Sequence, residues 1–201
     1  AHYASRALDI EYNYPGLGFK ELAGVHDRGE WDLSRHSQFS GADLQYFDQE
    51  NNEKFIPNII ETSDGADRAT LAFLLDAYDE VETRSGEEGG KHETEVVLRL
   101  HKDLAPIKVA ILPLSKKEPL QKLAWEIQAS IWDKFMTQYD ETGSIGKRYR
   151  RQDEIGTPYC VTVDFDSLED KKVTVRDRDT MQQERVEISN LKNYLENKFN
   201  S

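Results

Sequence analysis

Residues 107–114 read IKVAILPL, a continuous apolar run rich in β-branched side chains. Such a run is typical of a strand that is buried on both faces of a sheet. Ser115 and Glu118 follow at the spacing of a capping box, which predicts that a helix begins there. The apolar side of this helix would consist of Leu123, Ile127, Ile131 and Phe135.

The chain continues to alternate strand and helix beyond this point. A shorter helix is predicted over residues 144–154, ended by Gly156 and Pro158. Residues 159–165 and 171–177 alternate apolar and polar side chains, as half-buried strands do, and a final amphipathic helix closes the pattern. This alternation predicts an α/β domain in which helices pack on a mixed sheet.

The first half of the sequence has the pattern of antiparallel strands. Residues 7–14 alternate strictly, a Pro-Gly turn follows, and residues 18–26 form the next predicted strand. Two more strands are predicted at 44–48 and 54–61, and the latter leads into a loop and helix start at Thr62-Ser63-Asp64-Gly65. The acidic, glycine-rich residues 79–95 are predicted to be a loop without chemical function.

Charge divides the chain at the same place as the pattern does. The net charge is −12. Residues 1–102 hold 21 acidic and 10 basic side chains, whereas residues 103–201 hold 17 and 16. A basic cluster in the second half would therefore not be overwhelmed by acids. With Pro106 nearby, we predict two domains, 1–102 and 103–201, joined by a linker over residues 102–106.

The composition excludes several classes of protein. No apolar run is long enough to span a bilayer, so we expect no membrane partner and a cytoplasmic location. Cys160 is the single cysteine, which excludes an intrachain disulfide and a Cys-rich zinc site. The five histidines lack the spacing of metal ligands.

Residues 59–68, IIETSDGADR, are a candidate anion site. A strand delivers Glu61 and Ser63 to its carboxyl end, Gly65 permits close backbone approach, and Arg68 lies in the first turn of a helix. Helix N-termini attract anions, and a guanidinium there suits a phosphate or a base. From these residues alone, a capped helix with an exposed arginine is the better interpretation.

Glu21 is a second candidate. Strict alternation would place it on a strand face with Phe19, Ala23 and Val25, where an acid needs a partner. Its carboxylate could hold a magnesium ion or an ammonium group. The alternative is a solvated acid on an edge strand.

Residues 143–158, GSIGKRYRRQDEIGTP, form a basic helix. Lys147 and Arg151 stand at i, i+4, as do Arg148 and Gln152, and Tyr149 among them could stack on a base. Cationic planes, aromatic rings and polar groups commonly read single-stranded RNA. The alternative, a solvated helix paired with its own acids, is the better one for this segment taken by itself.

Together these segments resemble one family. The runs DIEY, ELAG, IPNIIE, LAFLLDAY, LAPIKVAILPL, GSIGKRYRRQDEIGTPYCVTVDFD and VTVRDRDTM are similar, in order, to the C-terminal region of the dimeric glycyl-tRNA synthetases. The resemblance implies an α/β (α+β) chain: the C-terminal part of a class II antiparallel-sheet catalytic domain, including motif 3, followed by an α/β anticodon-binding domain. One departure is Thr62-Ser63-Asp64-Gly65, where the family often has Pro-Ser-Ala-Gly.

The resemblance also implies roles for individual residues. Arg68 and Glu21 would be catalytic, and Glu21 would also hold Mg²⁺. The glycine-binding positions would be Glu61, Ser63 and Gly65. The ATP-binding positions would be Glu21, Leu22, Gly65, Ala66, Asp67 and Arg68. The anticodon-binding positions would be Lys147, Arg148, Arg151 and Glu154.

The implied reaction joins glycine to its tRNA through a glycyl-adenylate, with ATP as a substrate, Mg²⁺ as the metal and tRNA(Gly) as the acceptor. The full-length enzyme would be a homodimer. Nothing in the sequence resembles class II motifs 1 and 2, so we expect this chain alone to be incomplete as an enzyme. The alternative is a synthetase-derived RNA-binding module without catalysis.

Overall fold

A computed structural model describes residues 3–82 and 94–200. The chain forms two compact units, Ala1–Leu75 and Asp76–Ser201. The central part of the predicted loop at 79–95, residues 83–93, lies outside the described residues.

The first unit is built on a three-stranded antiparallel sheet. Its elements are β1 Arg6–Tyr14, β2 Gly18–Gly29, α1 Trp31–Ser40, β3 Tyr46–Asp48, β4 Glu53–Phe55 and β5 Ile59–Asp64, followed by the start of α2 Ala66–Ala77. The sheet order is β1-β2-β5, and β3 and β4 form a separate hairpin. The predicted antiparallel character is confirmed. The predicted strand at 54–61 is divided in two around Pro57, because proline cannot donate a ladder hydrogen bond. β5 also runs on through the predicted loop to Asp64.

A β-bulge at Leu22 corrects the predicted face of Glu21. Asp9 pairs with Gly24, but the register then shifts and Glu11 pairs with Glu21. Directly opposite residues in an antiparallel pair share a face, and Asp9 and Glu11 are two residues apart on one strand. Glu21 therefore lies on the face of Gly24. Strict alternation fails here because the bulge adds one residue to β2.

The second unit contains a five-stranded mixed sheet. Its elements are β6 Tyr78–Glu82, β7 Thr94–Leu98, β8 Val109–Pro113, α3 Glu118–Ile131, β9 Thr137–Tyr139, α4 Ile145–Glu154, β10 Tyr159–Val163, α5 Asp166–Asp170, β11 Lys172–Asp177, β12 Gln183–Glu187, a 3-10 turn Ile188–Asn190 and α6 Leu191–Asn200. The order is β12-β11-β10-β8-β9. β8 pairs in parallel with β9 and β10, whereas β11 is antiparallel to both of its neighbours. The predicted mixed sheet is confirmed.

The core of this unit lies on both faces of β8 and β10, whose residues are all buried. Val109 and Ile111 pack with α3 and α6 on one face, and Ala110 and Leu112 face Ile145 and Tyr149 of α4 on the other. Burying a valine, leucine or isoleucine side chain stabilises the fold by about 1.5–3 kcal/mol.

The start of α3 differs from the predicted capping box. The helix begins at Glu118 after Lys117, which makes no side-chain cap. Ser115 Oγ instead accepts a hydrogen bond from the Lys117 amide at 3.4 Å. Pro119 lies in the first turn, where its fixed φ favours the helix and its missing N–H costs nothing.

The β6–β7 hairpin belongs to the second unit. Arg150 of α4 donates to Glu95 of β7 at 2.6 Å. Gly156, just after α4, approaches so closely that a side chain there would meet the Leu98 carbonyl oxygen at 2.9 Å. The compact units therefore divide between Leu75 and Asp76, upstream of the predicted domain division at 102/103, which stays a prediction.

Candidate functional site

Four of the predicted site residues lie together in the first unit. The pairing of β2 with β5 sets Gly24 opposite Ser63 and His26 opposite Glu61. Glu21 shares this face because of the bulge. At Gly24 a Cβ would lie 2.7 Å from the His26 ring and 3.3 Å from Ser63 Oγ, so a larger residue there would displace the His26 side chain.

Arg68 lies in the first turn of α2 and reaches back to β2. Its Nη1 donates to the Glu21 carbonyl oxygen at 2.6 Å and lies 3.7 Å from Glu21 Oε2. The Arg68 and Glu21 side chains are 55% and 54% exposed. Ion pairs this exposed contribute little free energy. Arg68 can therefore exchange Glu21 for an anionic ligand at small cost, as the predicted ATP role requires.

Arg28, which the sequence patterns did not single out, holds Glu61 in place. Its Nη1 donates to Glu61 Oε2 at 2.6 Å, and the rest of its fork binds Asp32. The hydrogen bond from Arg28 lowers the pKa of Asp32. The guanidinium also lies 4.6 Å from the centre of the Tyr3 ring. In the sequence, the i, i+4 spacing of Arg28 and Asp32 could have indicated their ion pair.

Gly65 lies between β5 and α2, and Ala66 and Asp67 begin α2; all three are exposed. Leu22 is partly buried at the bulge. A Cβ on Gly65 would meet only the Arg68 side chain, at an ordinary 3.6 Å. Packing within the chain therefore does not require glycine at Gly65, and close approach of a ligand stays a prediction.

A magnesium ion would find one carboxylate here. Among the described residues, no group of three or more His, Cys, Asp or Glu side chains is arranged to hold a metal ion. Magnesium in nucleotide sites is usually held by one or two carboxylates together with substrate phosphates. Glu21 beside Arg68 fits that limited role and does not form a metal cage.

The predicted anticodon residues lie on α4 in the second unit, and they differ in how exposed their side chains are. Ser144 caps the helix by accepting from the Lys147 amide. Lys147 and Glu154 are exposed. Arg151 is partly exposed; it donates to Asp140 Oδ2 at 3.1 Å and to the Thr142 carbonyl oxygen at 2.6 Å.

Asp140 is held charged by these contacts. Burial raises the pKa of its carboxyl, but hydrogen bonds from the Thr142 amide and from Arg151 outweigh burial and leave the pKa below its usual value. Arg151 therefore presents to solvent only the part of its guanidinium that these acceptors leave free.

Arg148 differs from the other three because it is buried, with 2% of its surface exposed. Its guanidinium donates to the carbonyl oxygens of Pro113 and Leu114. Desolvation lowers its pKa. In this position Arg148 supports α4 and cannot reach an RNA base, so it is a weak candidate for direct contact.

Two further expectations for this helix are corrected by the structure. Tyr149 is not free to stack on a base, because it packs against the core and its hydroxyl lies 2.6 Å from Thr162 Oγ1. The alternative interpretation, a solvated helix paired with its own acids, is corrected for Asp153, which is buried and accepts from Arg176 of β11, outside the helix.

Comparisons with known proteins show what the whole chain and its second unit are similar to. Residues 108–198 match the family described as an anticodon binding domain. A glycine–tRNA ligase from Treponema denticola is 54% identical over 98% of this chain and 44% of its own length. The enzyme from Clostridium beijerinckii is 55% identical over 96% of this chain and 40% of its length, and that from Thermobifida fusca is 52% identical over 97% and 42%. Over nearly its whole length, the chain is therefore similar to part of the glycine–tRNA ligases.

The chain spans about two fifths of the length of these curated relatives. The anticodon-binding match begins at β8 and covers the whole five-stranded sheet, α3, α4 and most of α6. In the described parts of the chain, no helix is both long and apolar enough to cross a membrane.

Proposed function

We propose that the protein joins glycine to tRNA(Gly) through a glycyl-adenylate, and that this chain supplies part of the ATP and glycine site together with the anticodon-binding domain. The observation that carries this is the sheet face shared by Glu61, Ser63 and Glu21, with Arg68 of α2 reaching Glu21, in a chain similar to glycine–tRNA ligases. Cytoplasmic location and a homodimer stay predictions.

Glycine would bind at Glu61 and Ser63. Arg28 occupies one oxygen of the Glu61 carboxylate and fixes its orientation, which leaves the other oxygen for an ammonium group. The neighbouring Ser63 hydroxyl supplies a second polar group on the same face. A pocket that leaves no room for a β-carbon rejects larger amino acids sterically.

ATP would bind beside it, along Glu21, Leu22, Gly65 and the first turn of α2 at Ala66, Asp67 and Arg68. Arg68 stands at a helix N-terminus, where backbone amides and the helix dipole favour phosphates. Magnesium, when bound at Glu21, would neutralise phosphate charge. The residues of this chain would orient the glycine carboxylate so that its oxygen attacks the α-phosphorus while pyrophosphate leaves, with Arg68 stabilising the developing charge.

The tRNA would contact the exposed side of α4. Lys147 and Arg151 present cationic groups there, and Glu154 presents a carboxylate that can accept from base N–H groups. Arg148 would hold α4 in place through its hydrogen bonds to the Pro113 and Leu114 carbonyl oxygens.

The test uses a polypeptide of the relatives' full length that carries this chain. We expect Glu61→Gln to lower kcat/KM for glycine in ATP–pyrophosphate exchange by about 10²-fold, with the KM for ATP nearly unchanged. Glu53→Gln, an exposed acid on the β4 hairpin, is the matched control and should have no effect. Equal activity of the two variants would remove Glu61 from the site.

The same assay separates the alternative function. If the unaltered full-length protein binds tRNA(Gly) but shows no glycine-dependent exchange, the protein is an RNA-binding module derived from a synthetase. We expect the 201-residue chain by itself to show no exchange, since preorganised charge from the rest of the site supplies several kcal/mol of transition-state stabilisation.

A further inference from the structure

The underside of α4 is polar, which is unusual for a helix packed on a sheet. Its buried residues are Arg148, Gln152 and Asp153. Each of them contacts a different part of the sheet. Arg148 donates to the carbonyl at the end of β8, Gln152 donates to Gln138 of β9 at 3.0 Å, and Asp153 accepts from β11. Directional hydrogen bonds therefore attach three buried side chains of α4 to the sheet.

Arg176 of β11 makes a two-point polar contact with α4 from outside the helix. Its Nη1 and Nη2 donate to Asp153 Oδ1 and Oδ2, both at 2.9 Å. The Arg176 and Asp153 side chains are 4% and 5% exposed. The same guanidinium lies 4.7 Å from the centre of the Tyr149 ring. Arg176 thus contacts α4 at two side chains one helical turn apart.

Stability alone does not account for such a pair. Removing two charges from water is costly, and replacing a buried ion pair by apolar side chains of similar size is often neutral or stabilising. A two-point contact of fixed geometry does constrain where α4 sits along the sheet and how it is rotated. An apolar contact lacks this directionality and constrains both less strictly.

We propose that Arg176 is a positioning residue for anticodon recognition. Through Asp153 and Tyr149 it fixes the rotation of α4, and so the direction in which Lys147, Arg151 and Glu154 point. This inference rests on the proposed function, because it assumes that α4 contacts the anticodon. Arg176 itself touches no RNA.

The main test replaces the pair by apolar residues, Asp153→Leu with Arg176→Met, in the full-length enzyme. We expect the thermal midpoint to stay close to that of the unaltered protein and ATP–pyrophosphate exchange to be unchanged. The KM for tRNA(Gly) should rise on the order of tenfold. Discrimination against a tRNA(Gly) with an altered anticodon should fall by a similar factor, a change that a purely structural role would not produce.

Two further variants complete the design. Arg185 lies on β12 of the same sheet, and Arg185→Met removes its partly exposed ion pairs with Asp164 and Asp170. This variant should leave the KM for tRNA and the discrimination unchanged. Arg176→Lys keeps the charge but loses the planar fork, so it should give an intermediate loss of discrimination.

Two results would overturn the proposal. One is a folded double variant with unaltered KM and discrimination. The other result applies if the double variant does not fold, in which case Arg176→Lys provides the test. A lower thermal midpoint of that variant with unaltered discrimination between the two tRNAs would show that the pair serves stability alone. An unaltered enzyme that fails to distinguish the two tRNAs would instead refute the proposed role of α4, which is a separate failure.

Discussion

At the scale of single residues, Lys147 and Arg148 are sequence neighbours in opposite environments. Lys147 is exposed, whereas Arg148 donates to backbone carbonyls inside the second unit. The same charge therefore has two functions in one helix. For Lys147 the partner is solvent or a ligand, and for Arg148 it is the end of β8.

We expect Arg148→Met to destabilise the chain by about 2–4 kcal/mol, because the carbonyls of Pro113 and Leu114 would lose their donors in a buried place. Lys147→Met should change the free energy of unfolding by no more than about 0.5 kcal/mol. Urea unfolding followed by circular dichroism measures both. Similar values for the two variants would contradict the structural role assigned to Arg148.

Cys160 provides a second test at this scale. The thiol is 1% exposed in β10, and burial raises its pKa to about 12. Because the thiolate is the reactive form, we expect iodoacetamide to label the native chain at pH 8 only as fast as the second unit opens. Labelling in mass spectrometry should follow the urea unfolding curve. Rapid labelling without denaturant would show that β10 is more accessible than the structure indicates.

Sequence patterns predicted which residues belong to one segment better than they predicted which side chains are buried. A strand running into a helix start was enough to predict that Glu61, Ser63 and Arg68 belong to one segment. The burial of Arg148 and Tyr149 was not predictable in this way, since both faces of residues 144–154 are rich in polar side chains. Which face is buried depends on the carbonyls at the end of β8, which are 35 and 34 residues away from Arg148 in sequence.

At the scale of elements, the ends of α4 follow from local chemistry. Ser144 caps its start, and Gly156 adopts a φ of 80° just after its end. The predicted limits, 144–154, are confirmed within one residue because the side chain of Ser144 and the conformation of Gly156 define them locally. The short strands β9 and β12 were missed, since they depend on pairing with neighbours distant in sequence.

We expect Gly156→Ala to cost about 1–3 kcal/mol, since its φ is left-handed and the new Cβ would lie 2.9 Å from the Leu98 carbonyl oxygen. Gly146→Ala is the matched control within α4. It meets nothing within 4 Å and should gain up to about 1 kcal/mol from helix propensity. Guanidinium unfolding of both variants is the measurement, and a loss of similar size in both would contradict this reading of the Gly156 turn.

At the scale of the whole molecule, the division into domains has two possible positions. The sequence places it at 102/103, where the charge balance changes, and the compact units divide between Leu75 and Asp76. The difference is the β6–β7 hairpin and the residues that follow it. Val97 and Leu100 are buried, and Arg178 donates to the Leu100 carbonyl oxygen at 3.0 Å. Charge balance could not reveal these contacts, because they depend on the fold of residues far along the chain.

Two fragments separate the possibilities. We expect residues 103–201 to unfold cooperatively, since they contain the whole five-stranded sheet and the helices packed on it. Residues 76–201 should be more stable by about 3–6 kcal/mol, because they also bury Val97 and Leu100, at about 1.5–3 kcal/mol for each side chain. The longer fragment should also show a larger denaturant dependence, since more surface becomes exposed on unfolding.

Urea unfolding of both fragments at equal concentration gives the comparison. Glu95→Gln in the longer fragment is an internal check, because it removes the carboxylate that accepts from Arg150. It should lower the stability of this fragment by only a small part of the difference between the two fragments. Equal stability of the fragments would make the hairpin an accessory to the domain and support the division at 102/103. A shorter fragment without a cooperative transition would move the boundary upstream of β6, because the polar helix α4 would then need the hairpin to stay on its sheet.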